Sequence, residues 1–224
     1  MKKILLTFVS LLVLVILILV INYLVFAKMA TRISDGEPIN QKETKNPAVL
    51  VIDIQEATTG NYSMYDNLVL NAEGLINNTN QLADSSIKYG VPVIYIRNEI
   101  SNPLINILNS SYAVGSPGSQ LDARLNVVSD YIVTKKKGDS FSNPMLDNIL
   151  IKHDINKLVF TGLDIAHCVN STIQAAVNRN YDICLISDAL LSESDSLKQV
   201  KIDEFRQSGF EIISTAEYIG NLKK

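Results

Sequence analysis

The hydrophobic pattern divides the chain into two unequal parts. Residues Ile4 to Ala27 carry no charge, are mostly Leu, Val and Ile, and leave no continuous polar face at a helical period. A helix of about 24 residues reaches about 36 Å, more than a hydrocarbon core of about 30 Å. The run is longer than the roughly 7–15 apolar residues of a cleavable signal, and Ala27-Lys28-Met29-Ala30 is a poor cleavage site. The pattern therefore predicts a single-pass membrane anchor over residues 1–27, with a cleaved signal as the less favoured alternative. Residues 28–46 are polar and mixed in charge, with Gly36 and Pro38 among them, and read as a linker.

From residue 47 onward, short apolar runs alternate with segments of helical spacing. Strands are predicted over Ala48–Ile52, Val91–Ile96, Asp130–Thr134, Lys157–Thr161, Asp182–Ser187 and Phe210–Ser214. Helices are predicted over Asn67–Tyr89, Met145–Lys152, a segment opening at Cys168, and Ser192–Gln207. Ser101–Gln120, with Pro103, Gly115, Pro117 and Gly118, reads as irregular. Strands that are apolar on both faces and alternate with helices imply an α/β fold, a mostly parallel sheet covered on both sides, in one domain over residues 47–224. Such sheets place their sites beyond the carboxyl ends of the strands.

Composition narrows the function. The net charge is −3, and no basic block or aromatic-basic stripe occurs, so nucleic acid is not an expected partner. Two cysteines do not make a disulfide framework. Neither histidine, His153 nor His167, belongs to a cluster with metal-ligand spacing, so no metal and no cofactor is expected.

The carboxyl-end rule then collects chemistry. Asp53 ends the first strand, Lys135 follows the third, and Cys168 lies just past the fourth, after Gly162 turns the chain toward a helix. A helix N-terminus offers free N–H groups and partial positive charge, which favour a thiolate, and amides there can hold an oxyanion. Each residue also has an ordinary reading: a small buried cysteine, a turn-capping aspartate, a solvated lysine in Lys135-Lys136-Lys137. Cys184, between Ile183 and Leu185, reads as core.

Together these segments resemble the isochorismatase-like cysteine hydrolases, a family that includes nicotinamidases, carbamoylsarcosine amidohydrolases and ureidoacrylate hydrolases. The resemblance covers roughly residues 47–220. Val51-Ile-Asp53-Ile-Gln55 is similar to the family's Asp-x-Gln strand end, and Gly115-Ser-Pro-Gly118 to its glycine-rich segment. Lys135, six residues before Phe141, is similar to its lysine loop; Gly162-Leu163-Asp164-Ile165-Ala166-His167-Cys168-Val169 is similar to its nucleophile turn. Ser187-Asp188-Ala189 and Ile212-Ile213-Ser214-Thr215 also fit.

The resemblance implies a three-layer α/β/α doubly wound sheet and a triad of Asp53, Lys135 and Cys168. Cys168 would attack, Asp53 would carry the proton, and Lys135 would favour both anions. It also implies a cis peptide at Leu163–Asp164, with the N–H groups of Asp164 and Cys168 aimed at the substrate oxyanion. Gln55, Phe141 and His167 are candidates for the pocket wall. The family's Ala and Thr in the turn are Asp164 and Ile165 here, its acidic-aromatic pair after Gln55 is replaced by Glu56-Ala57-Thr58-Thr59, and the metal-binding histidines of some nicotinamidases are missing.

The expected protein is a membrane-tethered hydrolase of a small-molecule amide, ureido or carbamoyl compound, working through a Cys168 thioester. The rival is a catalytically silent domain used for binding or assembly at the membrane. Self-association into a homo-oligomer stays open. Lys2 and Lys3 flank one side of the anchor and Lys28, Arg32, Lys42 and Lys45 the other, so the tally leaves the side open; the dense charge right against the apolar run at Lys2 and Lys3 favours an inside N-terminus and an extracytoplasmic domain.

Overall fold

The computed structural model describes residues 2–223. Six strands form one sheet: β1 (Pro47–Ile52), β2 (Val93–Asn98), β3 (Ile132–Lys135), β4 (Lys157–Gly162), β5 (Asp182–Leu190) and β6 (Glu211–Ile213). Their order is β3-β2-β1-β4-β5-β6, and every pairing is parallel. The strand order reverses between β1 and its two neighbours, so the crevice beyond β1 and β4 is where such a sheet holds ligands.

Alternation along the strands feeds two cores. Ala48, Leu50, Ile52, Leu158 and Phe160 face one side, where α4 (Pro144–Lys152), α5 (Cys168–Asn178) and α6 (Asp195–Gln207) cover them through Leu146, Leu150, Val169, Ile173 and Phe205. Val49, Val51 and Val159 face the other, under Leu68, Leu75 and Leu82 of α2 (Asp66–Lys88) and Tyr218 of a final helix, α7 (Thr215–Leu222). Full burial of each Val, Leu, Ile or Phe side chain among these is worth about 1.5–3 kcal/mol. Gly162 is needed where β4 meets β1: its φ is +114°, and a Cβ would stand 2.0 Å from the Ile52 carbonyl oxygen.

Several boundaries differ from the sequence expectation. β2 begins at Val93, after Pro92, and continues to Asn98, which pairs with Lys135. β5 runs on to Leu190 because a register shift after Phe160 lets Leu190 pair with Gly162. The stretch expected to be irregular contains a short helix, α3 (Pro103–Leu108), capped by the Asn102 side chain. α7 was not expected; Ser214 and Glu217 form a reciprocal capping box at its start.

The N-terminal apolar helix, α1, spans Lys2–Ala30. It is long and apolar enough to cross a membrane, and residues 2–21 are exposed. Asn22, Phe26, Ala27 and Ala30, on one helical face, are half-buried. Asn22 Oδ1 accepts a hydrogen bond from Asn102 Nδ2 at 3.0 Å, and the Ala30 carbonyl accepts one from Gly138 N at 2.8 Å. The segment after α1 also lies on the domain. Arg179, 3% exposed at its side chain, pairs with Asp147, stacks 4.4 Å from the centre of the Phe141 ring, and donates to the carbonyls of Ser34 and Asp35. Ile33 and Ile39 pack against the adjacent core.

Candidate active site

The ends of β1, β2, β4 and α2 enclose a half-open cavity of about 210 Å³. Asp53, Asn98, Cys168, Leu163, Tyr65 and Tyr112 are among the residues that line it. This is smaller than the roughly 300–1,000 Å³ of drug-sized sites.

Asp53 follows β1 with φ +54°, a left-handed conformation that aspartate tolerates better than most residues. Its N–H donates to Ile96 O, and its carbonyl accepts from Thr58 Oγ1 at 2.7 Å, so the turn is fixed from both sides. β3 delivers Lys135, whose ammonium is fully buried and lies 2.8 Å from Asp53 Oδ2; it also donates to Lys137 O at 3.1 Å. Burial acts to lower the Lys135 pKa, but Asp53 and Cys168 act more strongly together and hold it above the ordinary lysine value. The other oxygen, Asp53 Oδ1, is buried without a hydrogen-bond partner. A buried acceptor left open is costly, which marks it as a position for a transferred proton or a ligand N–H.

Cys168 is the first residue of α5. Burial pushes its thiol up to about 12; Lys135 pulls it down and Asp53 pushes it up. Desolvation outweighs the pull of the lysine and favours the neutral thiol, beside a carboxylate able to take its proton, the role that the resemblance implies for Asp53. The Leu163–Asp164 peptide is cis. Among the described residues, no hydrogen bond engages the N–H of Asp164 or of Cys168.

The acid in the turn is tied down. Asp164 Oδ1 accepts from Ala166 N at 2.6 Å and Ser192 Oγ at 2.8 Å, and Oδ2 accepts from Glu193 N at 3.0 Å. His167 lies on the cavity rim, with its side chain 62% exposed and Nε2 3.9 Å from Glu193 Oε1. Asp164, His167 and Glu193 bring one potential ligand atom each within 4.8 Å of one another. Sequence spacing does not reveal this group, because Glu193 comes from the loop after β5. Its most enclosed member already accepts three hydrogen bonds, so the group fits a hydrogen-bonded turn better than a coordination shell.

Two pocket candidates lie elsewhere. Gln55 is fully buried and does not line the cavity: Nε2 donates to Asn98 O and Ser119 O, and Oε1 accepts from Asn98 N at 2.7 Å. It holds the end of β2 and the glycine-rich segment in place. Phe141 is buried against Tyr181 and Arg179, beside α5. Conversely, the sequence reading omitted Asn98, Tyr65, Tyr112, Thr58 and Glu193, all of which line the cavity. Asn98 Oδ1 is buried without a partner, a second open acceptor. Tyr112 donates to Ala57 O at 3.3 Å, and burial raises its pKa well above the ordinary tyrosine value.

Comparison with known proteins matches residues 47–217 to the family model described as the isochorismatase domain. The chain is 28% identical over 144 residues to the Bacillus subtilis (strain 168) isochorismatase family protein YrdC, covering 63% of this chain and 72% of that one. It is 26% identical over 189 residues to the ureidoacrylate amidohydrolase RutB of Rhizobium rhizogenes (strain K84 / ATCC BAA-868), covering 68% and 73%. The crystal structure of N-carbamoylsarcosine amidase from Thermoplasma acidophilum superposes with a TM-score of 0.64 at 25% identity, covering 77% of this chain and 97% of that one.

Proposed function

Because the chain belongs to the isochorismatase-domain family, we propose that it is a membrane-tethered cysteine hydrolase cleaving a C–N bond of a small amide, ureido or carbamoyl compound through a thioester on Cys168. The observation that carries this reading is the buried Lys135–Asp53 pair, with Asp53 Oδ1 left open beside the Cys168 thiol on the cavity wall. Similarity to an amidohydrolase and an amidase that act on ureido and carbamoyl groups supports the substrate class.

In the proposed cycle the Cys168 thiol loses its proton to Asp53 as Sγ bonds to the substrate carbonyl carbon. The oxygen, now negative, accepts from the N–H groups of Asp164 and Cys168. As the C–N bond breaks, Asp53 returns the proton to the leaving nitrogen, and a thioester remains. Water then attacks the thioester, Asp53 takes its proton, and the S–C bond breaks to free the acid and restore the thiol. Lys135 stays protonated throughout and stabilises the carboxylate and the sulfur as each carries negative charge. Asn98 Oδ1 is available to accept an N–H from the substrate amide.

The length and apolarity of α1 support an anchor, and Lys2 and Lys3 at its short end support an extracytoplasmic domain. Protease added to intact cells should remove the domain; protection until the membrane is broken refutes that orientation. For the chemistry, ammonia release from a panel of amides and ureido acids should fall below a tenth of the starting rate in Cys168→Ala, with the fold retained. Iodoacetamide should modify Cys168 in preference to Cys184. Unselective labelling, or turnover that survives Cys168→Ala, defeats the thioester reading.

A further inference from the structure

α1 leaves the domain at the carboxyl edge of the sheet, the edge that holds the cavity. Asn102 lies four residues past Asn98 in β2, and Gly138 three residues past Lys135 in β3. A Cβ at Gly138 would stand 3.1 Å from Ala30 O and 3.5 Å from Ser171 Oγ, so the end of α1 reaches the first turn of α5, the helix that starts at Cys168. The stretch of α1 exposed on every face ends at Ile21; Asn22 makes the first contact with the domain through its bond to Asn102, and Tyr23, Leu24 and Val25 stay exposed on the other face of the helix. Ile4–Ile21 would extend about 27 Å, close to the hydrocarbon thickness of about 30 Å. An anchor spanning with that stretch leaves no slack: the part of the domain level with Asn22 meets the bilayer surface.

That part is apolar. α3 follows Asn102 directly and exposes Ile107 (75%) and Leu108 (72%), and the same segment exposes Val114. Its Tyr112 reaches into the cavity wall and bonds to Ala57 O. Across the mouth, Met64 (68%) and Tyr62 are exposed on the loop that carries Tyr65 into the cavity. Exposed apolar side chains thus flank the opening on two sides, where α1 also emerges. Other exposed apolar side chains, such as Leu70 and Ile151, lie elsewhere on the domain, but those of α3 and the Tyr62–Tyr65 segment adjoin the residues that line the cavity, and Tyr and aliphatic side chains suit a headgroup boundary.

We propose that α3 and the loops flanking the cavity mouth form a membrane-contacting surface, so that the cavity opens onto the bilayer interface and takes a substrate that partitions there: an amphiphile with its amide, ureido or carbamoyl group in the polar head. The proposal rests on the membrane-anchor reading given above. The 210 Å³ cavity accommodates the reacting head, and the apolar remainder of the substrate stays against Ile107, Leu108 and the lipid.

The chain contains no tryptophan, so single reporters are clean. The full chain is reconstituted into phosphatidylcholine vesicles with brominated acyl chains, carrying Phe8→Trp in α1, Leu108→Trp in α3, or Ile151→Trp at the exposed end of α4. Leu108→Trp and Phe8→Trp should both be strongly quenched, and Ile151→Trp should not. Quenching of Phe8→Trp alone overturns the surface and leaves the anchor standing; no quenching at Phe8→Trp overturns the anchor and the surface together. In plain vesicles, Cys168 should react about tenfold faster or more with N-decylmaleimide than with N-ethylmaleimide, because the chain concentrates the probe at the interface. The double variant Ile107→Asp/Leu108→Asp should lose that advantage. Equal rates in the parent protein, or an advantage unchanged in the variant, overturn the proposed substrate class.

Discussion

Replacing Lys135 with Met keeps the length of the side chain and removes its charge, and the consequences can be worked from the contacts. The ammonium is 0% exposed and its partner carboxylate 6% exposed, so nothing from solvent replaces it. Breaking a buried pair by removing one partner costs about 3–5 kcal/mol, because the remaining charge is left unpaired. Asp53 can relieve this only by binding a proton, which removes it as a base. The thiol suffers in the same direction. Lys135 is the influence that pulls the Cys168 pKa down, and without it the value rises beyond about 12. At pH 7 a thiol of pKa about 12 is ionised to about one part in 10⁵, and each further unit removes another factor of about ten. Lys135→Met should therefore slow iodoacetamide modification of Cys168 at pH 7 by at least about tenfold, abolish turnover, and lower the urea midpoint. Lys136, exposed on the same loop, is the control: Lys136→Met should leave all three unchanged. Modification of Lys135→Met at the parent rate, or equal slowing in Lys136→Met, would refute the assignment of the lysine and the electrostatics built on it.

Two further outcomes follow from the same geometry. The Cys168 thiol sits at about 12 against an ordinary 9.0, so between those values the unfolded thiol is ionised while the folded one is not; the folded state binds more protons, and stability falls as pH rises from 9.0, by at most about 1.4 kcal/mol per unit from this group. Urea titrations at several pH values should show a shallower fall in Cys168→Ala, and identical slopes would contradict the raised thiol pKa. Turnover should also survive a strong chelator, since the proposed chemistry of Asp53, Lys135 and Cys168 needs no metal; loss on chelation with recovery on adding zinc would turn Asp164, His167 and Glu193 from a hydrogen-bonded turn into a metal site.

The sheet was legible because its strands are apolar on both faces and their alternation with helices leaves few topologies. Asp53, Lys135 and Cys168 were legible as a group because each falls at the carboxyl end of a strand, which the fold brings to one edge. What spacing could not supply was direction. Gln55 and Phe141 carry family-like spacing, yet one points across the strand ends to Asn98 and Ser119 and the other into the packing around Arg179. Asn98, two residues past the predicted end of its strand, gave no signal at all. The polar composition of residues 28–46 likewise conceals their contacts, because the partners, Arg179 and Asn156, are more than 100 residues away in sequence. The start of α7 did carry a signal in Ser214-x-x-Glu217, which its short length obscured.

Asp164 shows how the fold accommodates its departure from the family pattern. An unneutralised carboxylate facing the carbonyl would oppose the charge that develops there. Both of its oxygens are instead engaged by Ala166 N, Ser192 Oγ and Glu193 N, donors that draw the charge toward the loop after β5. The same engagement explains why α6 begins at Asp195 rather than at Ser192: Ser192 and Glu193 are held by Asp164, and Ser194 becomes the cap, accepting from Leu197 N. One substitution in the turn and one displaced helix start are thus two sides of a single arrangement, with the backbone N–H groups of Asp164 and Cys168 left without acceptors among the described residues.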